Sequence, residues 1–231
     1  MHKLIRLELE KFKLSGYVWR ALIANFVIFG LICVISFIEK IEGAEVFQDR
    51  YMALQIIETM IRATFIIFAG VLLSRIVISE FKNKSISVLF MYPINRKKLI
   101  VAKLLIVVAF TFICIILSYF LVGSSFYVFD RFAHVVPDSL PFADVLSYFS
   151  IVLMNALAAS CMSLIPLYFG MKKFSGSTTI VASIITVLIV CQNVGGFTLN
   201  SIIFIPISLS LLGVFIAYSA IKNIENIDVI N

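Results

Sequence analysis

Two oppositely charged side chains, Glu58 and Arg62, lie four residues apart in a stretch that is otherwise mostly apolar. Residues with this spacing share one face of a helix, so the carboxylate and the guanidinium can pair. Ionisable groups within a membrane commonly serve to move protons or ions. The later apolar runs, 104–129, 145–171 and 174–221, contain no charged residue. We therefore predict an intramembrane ion pair rather than an ion-conducting pathway.

Motifs for catalysis and metal binding are missing from the sequence. There is no HExxH, no GxSxG, no paired-carboxylate motif and no GxxxxGK[ST] phosphate-binding loop. Free cysteine behaves as a small apolar residue. The cysteines lie within apolar runs and form no CxxC pair: Cys33, Cys114, Cys161 and Cys191. We expect no catalytic residue, no metal site and no cofactor bound by this chain itself.

Segment 80–98 mixes charged residues with apolar ones and is unlike an ordinary loop. The residues we expect to matter are Glu80, Phe81, Lys82, Ser85, Leu89, Pro93 and Arg96. Such a segment can rest on the membrane and still offer a face to a partner. The basic side chains that follow Pro93, including Lys103, are expected to hold the next helix at an anionic membrane surface. The alternative is a basic loop that only sets topology.

Small and polar residues recur at helical spacing later in the chain, at Asn155, Ala159 and Ser163. Small side chains let two membrane helices approach closely. We favour helix packing within one chain for this stripe, with contact to a transported molecule as the alternative.

The elements that position these residues are membrane spans. Hydrophobic residues make up 61% of the 231 residues, well above the proportion in soluble domains. A helix needs about 20 apolar residues to cross a bilayer, and the polar, glycine-rich stretch 192–200 divides the last apolar run in two. We predict an all-α integral membrane protein with a single transmembrane domain over 1–231. Its six predicted spans are 17–38, 56–79, 99–127, 143–170, 174–194 and 201–221.

The distribution of charge predicts the orientation. With six spans, 15 of the 19 Lys and Arg residues fall on one side of the membrane and 4 on the other. Basic loops stay on the cytoplasmic side, so we expect both termini in the cytoplasm. The net charge of +6 is then a consequence of topology. We therefore expect no nucleic-acid partner.

Around segment 80–98 the sequence resembles a known family. It is similar to the permease subunits of ABC-2 type transporters, close to those that serve bacterial self-protection against bacitracin and lantibiotics. The resemblance lies in four stretches: Ser79–Phe81, Ser85–Leu89, Tyr92–Arg96 and Ala102–Leu105. In such permeases a Glu leads a short helix, a P-x-x-R turn begins the third span, and a Lys follows soon after.

The resemblance implies how the protein works. Segment 80–98 would be the short cytoplasmic coupling helix that meets separate ABC ATPase subunits, which bind the ATP and Mg²⁺. A second permease subunit, identical or homologous, would pack alongside, and membrane lipids would surround both. Closure of the ATPases would tilt spans two and three. Glu80 would meet a basic or hydroxyl group on the ATPase, or else only favour the start of a helix through its charge.

The function expected from this resemblance is export of an amphipathic or lipid-like cargo, such as a peptide antibiotic, across a bacterial plasma membrane by a multi-pass permease. The cargo path would be apolar. Two other readings stay open at this point. The chain could be a membrane scaffold or assembly protein without transport, or a membrane-embedded enzyme acting on lipid, which the missing polar cluster disfavours.

Overall fold

Helices account for nearly all of the chain that can be described. The computed structural model describes residues 7–8, 15–42, 50–82, 96–133, 142–191, 193–194, 197–198 and 204–223. The helices are α1 (Ser15–Glu42), α2 (Arg50–Leu73), α3 (Ser79–Lys82), α4 (Arg96–Ala133), α5 (Phe142–Met162), α6 (Pro166–Lys173), α7 (Gly176–Val190) and α8 (Phe204–Asn223). The prediction of an all-α membrane protein is confirmed.

Within the described residues, five helical stretches are long and apolar enough to cross a membrane. They are Gly16–Ile38, Met52–Lys82, Lys97–Phe132, Phe149–Lys173 and Ile205–Lys222. The predicted fifth span, 174–194, corresponds to the shorter apolar helix α7 of 15 residues. At about 1.5 Å per residue α7 is ~22 Å long, less than the ~30 Å apolar core of a bilayer. The orientation of the termini stays a prediction from the charges.

Two interruptions divide the long helices near their ends. Between α2 and α3 the backbone forms a π-helical turn, Ser74–Ile78, which widens the helix immediately before Glu80. Between α5 and α6 the chain forms tight turns, with Leu164 and Ile165 donating backbone hydrogen bonds to carbonyls three residues earlier. Pro166 then begins α6, because proline lacks the N–H that a helix interior needs.

The turn predicted at 192–200 is present as a short pair of strands. Strand β1 (Asn193–Val194) pairs antiparallel with β2 (Phe197–Thr198), with Asn193 opposite Thr198. Residues 195 and 196, the predicted glycine turn, lie outside the described residues. The pair of strands separates α7 from α8, so the polar stretch does divide the last apolar run.

Hydroxyl groups within the apolar helices are satisfied by their own helix. Those given below donate to a backbone carbonyl four residues earlier, which removes the cost of a lone hydroxyl in an apolar setting. Examples are Ser36 to Ile32, Thr64 to Met60, Thr111 to Val107, Ser118 to Cys114 and Thr186 to Ala182. These hydroxyls are therefore accounted for without a ligand.

The chain divides into two compact units. Unit one comprises Met1–Leu14, Phe65–Phe112 and Leu157–Asn231, and unit two comprises Ser15–Thr64 and Ile113–Ala156. In unit one the helices approach closely at glycines: a Cβ atom at Gly70 would overlap Ser183, and one at Gly213 would meet the backbone carbonyl of Cys161. In unit two a Cβ at Gly30 or Gly123 would meet nothing within 4 Å.

Much apolar surface faces outward. Only 28% of the apolar window in α1 and 17% of that in α8 are buried inside the chain. Large apolar side chains such as Phe26, Phe132 and Phe215 are among the most exposed. This pattern is the reverse of a soluble protein and is expected where lipid or another membrane chain covers the surface.

Candidate functional site

A buried ammonium group lies where α3 and α4 meet. Lys103 of α4 is only 1% exposed, and its Nζ donates a hydrogen bond to Oε2 of Glu80 on α3. The same nitrogen lies 3.4 Å from Oε2 of Glu8 and donates to the backbone carbonyl of Ile76 at 3.4 Å. We refer to Glu8, Glu80 and Lys103 as the Lys103 cluster.

The local sequence explains how this cluster forms. Glu80 follows the π-helical turn near the end of the continuous helical stretch Met52–Lys82, and its side chain meets α4 at Lys103. Lys103 lies seven residues into α4, which is two helical turns from its start at Arg96. Because one ammonium group offers three donors, it can serve a carboxylate and the carbonyl of Ile76 together.

This geometry corrects one expectation and changes another. Lys103 was expected at the membrane surface, but it is buried and paired, since an unpaired charge would be costly to bury. Glu80 is also buried, at 7% exposed, and meets Lys103 of its own chain rather than presenting its carboxylate outward. A role of Glu80 in coupling stays a prediction, now through the position of Lys103 instead of direct contact.

Three other residues of the predicted coupling segment lie in the described part of the chain. The ring of Phe81 is buried and lies 6.0 Å from the ring of Phe174, which joins α6 to α7 in a left-handed conformation with φ of 45°. Lys82, by contrast, is exposed at the end of α3. Arg96 begins α4. The predicted positions Ser85, Leu89 and Pro93 lie outside the described residues.

A second charged group is buried in unit two. Glu58 and Arg62 lie one turn apart on α2, with Arg62 Nη1 3.6 Å from Glu58 Oε1. The predicted ion pair is therefore present in the structure as a charge contact. The side-chain amide of Asn155 donates to Glu58 Oε1 at 2.6 Å, and Tyr119 of α4 also hydrogen-bonds Glu58. We refer to Glu58, Arg62, Tyr119 and Asn155 as the Arg62 cluster.

The stripe predicted on α5 and beyond is divided by this arrangement. Asn155 belongs to the Arg62 cluster, whereas Ala159 and Ser163 are buried in unit one. The Ser163 hydroxyl donates to the carbonyl of Ser160 at 2.6 Å. Its backbone N–H is bonded to the carbonyl of Ala159 at 3.0 Å. Packing within the chain accounts for Ala159 and Ser163, and contact with cargo stays an untested alternative.

Three residues of these clusters were not predicted as site residues: Glu8, Lys103 and Tyr119. Lys103 carried a signal, since it is a charge just before a 26-residue run without one. Glu8 and Tyr119 carried none that separates them from other residues of their type. In the described part of the chain, no group of three or more His, Cys, Asp and Glu residues could hold a metal ion.

Both clusters fall within a region that matches a known family. The profile of the family described as "ABC-2 family transporter protein" matches residues 4–193. The chain belongs to this family. Membership confirms the expected membrane subunit of an ABC-2 transporter, a multi-pass membrane protein that associates with an ABC ATPase subunit.

One curated relative covers almost the whole chain. The chain is 41% identical over 226 residues to a protein of Bacillus subtilis (strain 168), described as "Uncharacterized protein YcbO", and the alignment covers 97% of this chain and 99% of that protein. No solved structure matches the chain. The similarity to bacitracin and lantibiotic permeases has no counterpart in these comparisons and stays a prediction.

Proposed function

We propose that this chain is the permease subunit of an ATP-driven exporter of an amphipathic or lipid-like cargo, with ATP and Mg²⁺ bound by a separate ATPase subunit. The observation that carries the proposal is the Lys103 cluster. Lys103 connects α3, which ends at Lys82, with the start of α4 at Arg96, and these are the two ends of the expected coupling segment.

The cluster suggests how force would be transmitted. An ATPase that displaces segment 80–98 would move α3 and the start of α4 together, because Glu80 and Lys103 are bonded in a buried setting. The additional bond from Lys103 to the carbonyl of Ile76 brings the π-helical turn into the same group. A π-helical turn is an irregular and often functional part of a helix, which suits a point of bending.

The cargo and the assembly follow from the apolar surfaces. The described spans expose many large Phe, Leu, Ile and Tyr side chains, which suits an amphipathic or lipid-like molecule better than a sugar or an ion. A peptide antibiotic, and hence self-protection of a bacterium at its plasma membrane, fits this chemistry. A second permease subunit would cover part of the outward-facing surface of α1 or α8, whose apolar windows are the least buried.

Affinity purification tests the proposal. The tagged chain is isolated from native membranes in mild detergent, and ATP hydrolysis by the co-purified proteins is measured. We expect an ATPase with the wild-type chain and with Lys173→Ala, which changes an exposed lysine of α6. We expect that Lys103→Met no longer stimulates ATP hydrolysis by the ATPase, because the bond from Lys103 to Glu80 that joins α4 to α3 is lost.

Two further variants test whether segment 80–98 is the contact with the ATPase. Glu80→Ala and a Phe81→Ala/Leu89→Ala double variant should weaken ATPase capture or stimulation if segment 80–98 is the contact. If no nucleotide-hydrolysing partner is recovered with any variant or with the wild type, the exporter proposal is wrong and a scaffold role takes its place.

A further inference from the structure

Arg62 is a buried cation with N–H donors that lack an acceptor among the described residues. Its side chain is 4% exposed, and within the described structure its Nε and Nη1 atoms find no hydrogen-bond acceptor. Arginine carries five N–H donors in a planar fork and stays charged. A buried guanidinium with two nitrogens that lack an acceptor is costly, so an arrangement of this kind calls for an acceptor.

Glu58 does not supply that acceptor. Its Oε1 atom already accepts from Asn155 at 2.6 Å, and Tyr119 hydrogen-bonds the same carboxyl group. Arg62 Nη1 lies 3.6 Å from Oε1, which is close enough for charge attraction but too far for a hydrogen bond. One carboxylate therefore serves side chains from three helices, and the Arg62 cluster has more donors than acceptors.

The depth of Arg62 along its helix restricts what can reach it. At about 1.5 Å per residue, Arg62 lies ~15 Å from Met52 and ~30 Å from Lys82, the two ends of this span. Its neighbours on α2 include Ile57 and Ile61, both fully buried. A ligand that reaches this position from the bilayer has to be apolar over most of its surface.

We infer that Arg62 binds an oxyanion, a phosphate group carried by a lipid-like molecule. A guanidinium matches two phosphate oxygens with parallel hydrogen bonds. Glu58 retains its bonds to Asn155 and Tyr119 when Arg62 turns to such a ligand, so the carboxylate is not left without donors. The inference rests on the proposed function only where the bound lipid is identified as cargo.

Binding of defined lipids to the purified chain tests the site. The chain in maltoside detergent is mixed with phosphatidylglycerol or with diacylglycerol, which has the same tails without the phosphate, and retained lipid is counted by native mass spectrometry. We expect phosphatidylglycerol to be retained at least about tenfold more tightly, as for a hydrogen bond to a charged group. Inorganic phosphate at the same concentration should not compete.

Matched variants assign the effect to Arg62. Arg62→Met should lower phosphatidylglycerol retention about tenfold, while Arg62→Lys, which keeps the charge but loses the fork, should fall between. Arg75→Met is the control, since Arg75 is an exposed arginine on the same span. The double variant Glu58→Gln/Arg62→Met leaves no buried charge unpaired and should also lose retention, which separates loss of the site from misfolding.

Three results would overturn the inference. These are equal retention of phosphatidylglycerol and diacylglycerol, full retention by the double variant, and a loss in Arg75→Met as large as that in Arg62→Met. Competition by inorganic phosphate alone would mean that the ligand is free phosphate and not a lipid. The assay contains no ATPase, so its failure leaves the exporter proposal standing, and failure to recover an ATPase leaves this site standing.

Discussion

The Lys103 cluster and the Arg62 cluster each combine a buried cation with carboxylate, but they differ in the ratio of hydrogen-bond acceptors to donors. In the Lys103 cluster two carboxylates and a backbone carbonyl surround one ammonium group. In the Arg62 cluster one carboxylate is shared by an amide, a phenol and a guanidinium. The first has acceptors in excess, since Oε2 of Glu8 lies in charge contact with Lys103 but has no hydrogen-bond donor in the described structure, and it fits a permanent internal bond between Glu80 and Lys103. The second has donors in excess and fits a binding site for a ligand that supplies an acceptor.

The cations themselves suit these two roles. The ammonium of lysine is a compact charge that three acceptors can surround, whereas the planar fork of arginine matches a bidentate oxyanion. The two units also differ in how closely their helices pack. Unit one has glycines in close contact with neighbouring helices, and unit two has Gly30 and Gly123 facing open space.

Removal of the buried ammonium should be the most damaging change. Lys103→Met leaves Glu8 and Glu80 buried without their cation, and breaking a buried ion pair in this way costs about 3–5 kcal/mol of unfolding free energy. Denaturation of the purified chain in mixed micelles measures it. The triple variant Glu8→Gln/Glu80→Gln/Lys103→Met should recover most of the loss. No recovery would mean that charge is not what the cluster contributes.

Packing in unit one should be nearly as sensitive. Gly213→Ala places a Cβ against the backbone carbonyl of Cys161, which cannot move aside as a flexible side chain could. Overpacking of this kind costs about 2 kcal/mol. Gly30→Ala is the matched change in unit two and should be neutral or stabilising by up to ~1 kcal/mol, because alanine favours the helix and the space is open. Equal effects of the two variants would contradict the contrast in packing.

Loss of the guanidinium should cost less than loss of the ammonium. Arg62→Met removes a charge contact at 3.6 Å but also a guanidinium with two unsatisfied nitrogens, while Glu58 keeps Asn155 and Tyr119, so we expect a loss of no more than about 1–2 kcal/mol in the same denaturation assay. If Arg62→Met proves as costly as Lys103→Met, Arg62 is a structural residue. The two clusters would then be alike.

The smallest effect is expected at the phenol of the Arg62 cluster. Tyr119→Phe removes one of the donors to Glu58, and a side-chain hydrogen bond within a membrane protein averages ~0.6 kcal/mol. Tyr127→Phe, at an exposed tyrosine of the same helix, is the control and should leave the unfolding free energy unchanged. A cost at Tyr119 above that of Arg62→Met would show that the phenol is the main partner of Glu58.

Local spacing predicted one of the two clusters in part. Glu58 and Arg62 are four residues apart, so helical geometry alone brings them to one face. The partners of Lys103 lie 23 residues away at Glu80 and much farther along the chain at Glu8. A pattern of neighbouring residues holds no information on such contacts, which is why a surface position was wrongly predicted for Lys103. Apolar composition does not reveal where α7 begins and ends, since the left-handed Phe174 precedes its start and a turn at Cys191 ends it.

Composition and charge by themselves determined the class of this protein. With 61% hydrophobic residues, the chain has uncharged runs long enough to cross a membrane as helices, which satisfy their own backbone groups. The motif around segment 80–98 correctly indicated the ABC-2 family. The tertiary structure decided which buried charges are satisfied and which are not. Whether a buried donor meets an acceptor depends on side chains brought together from distant helices, as Asn155 meets Glu58 and Lys103 meets Glu80.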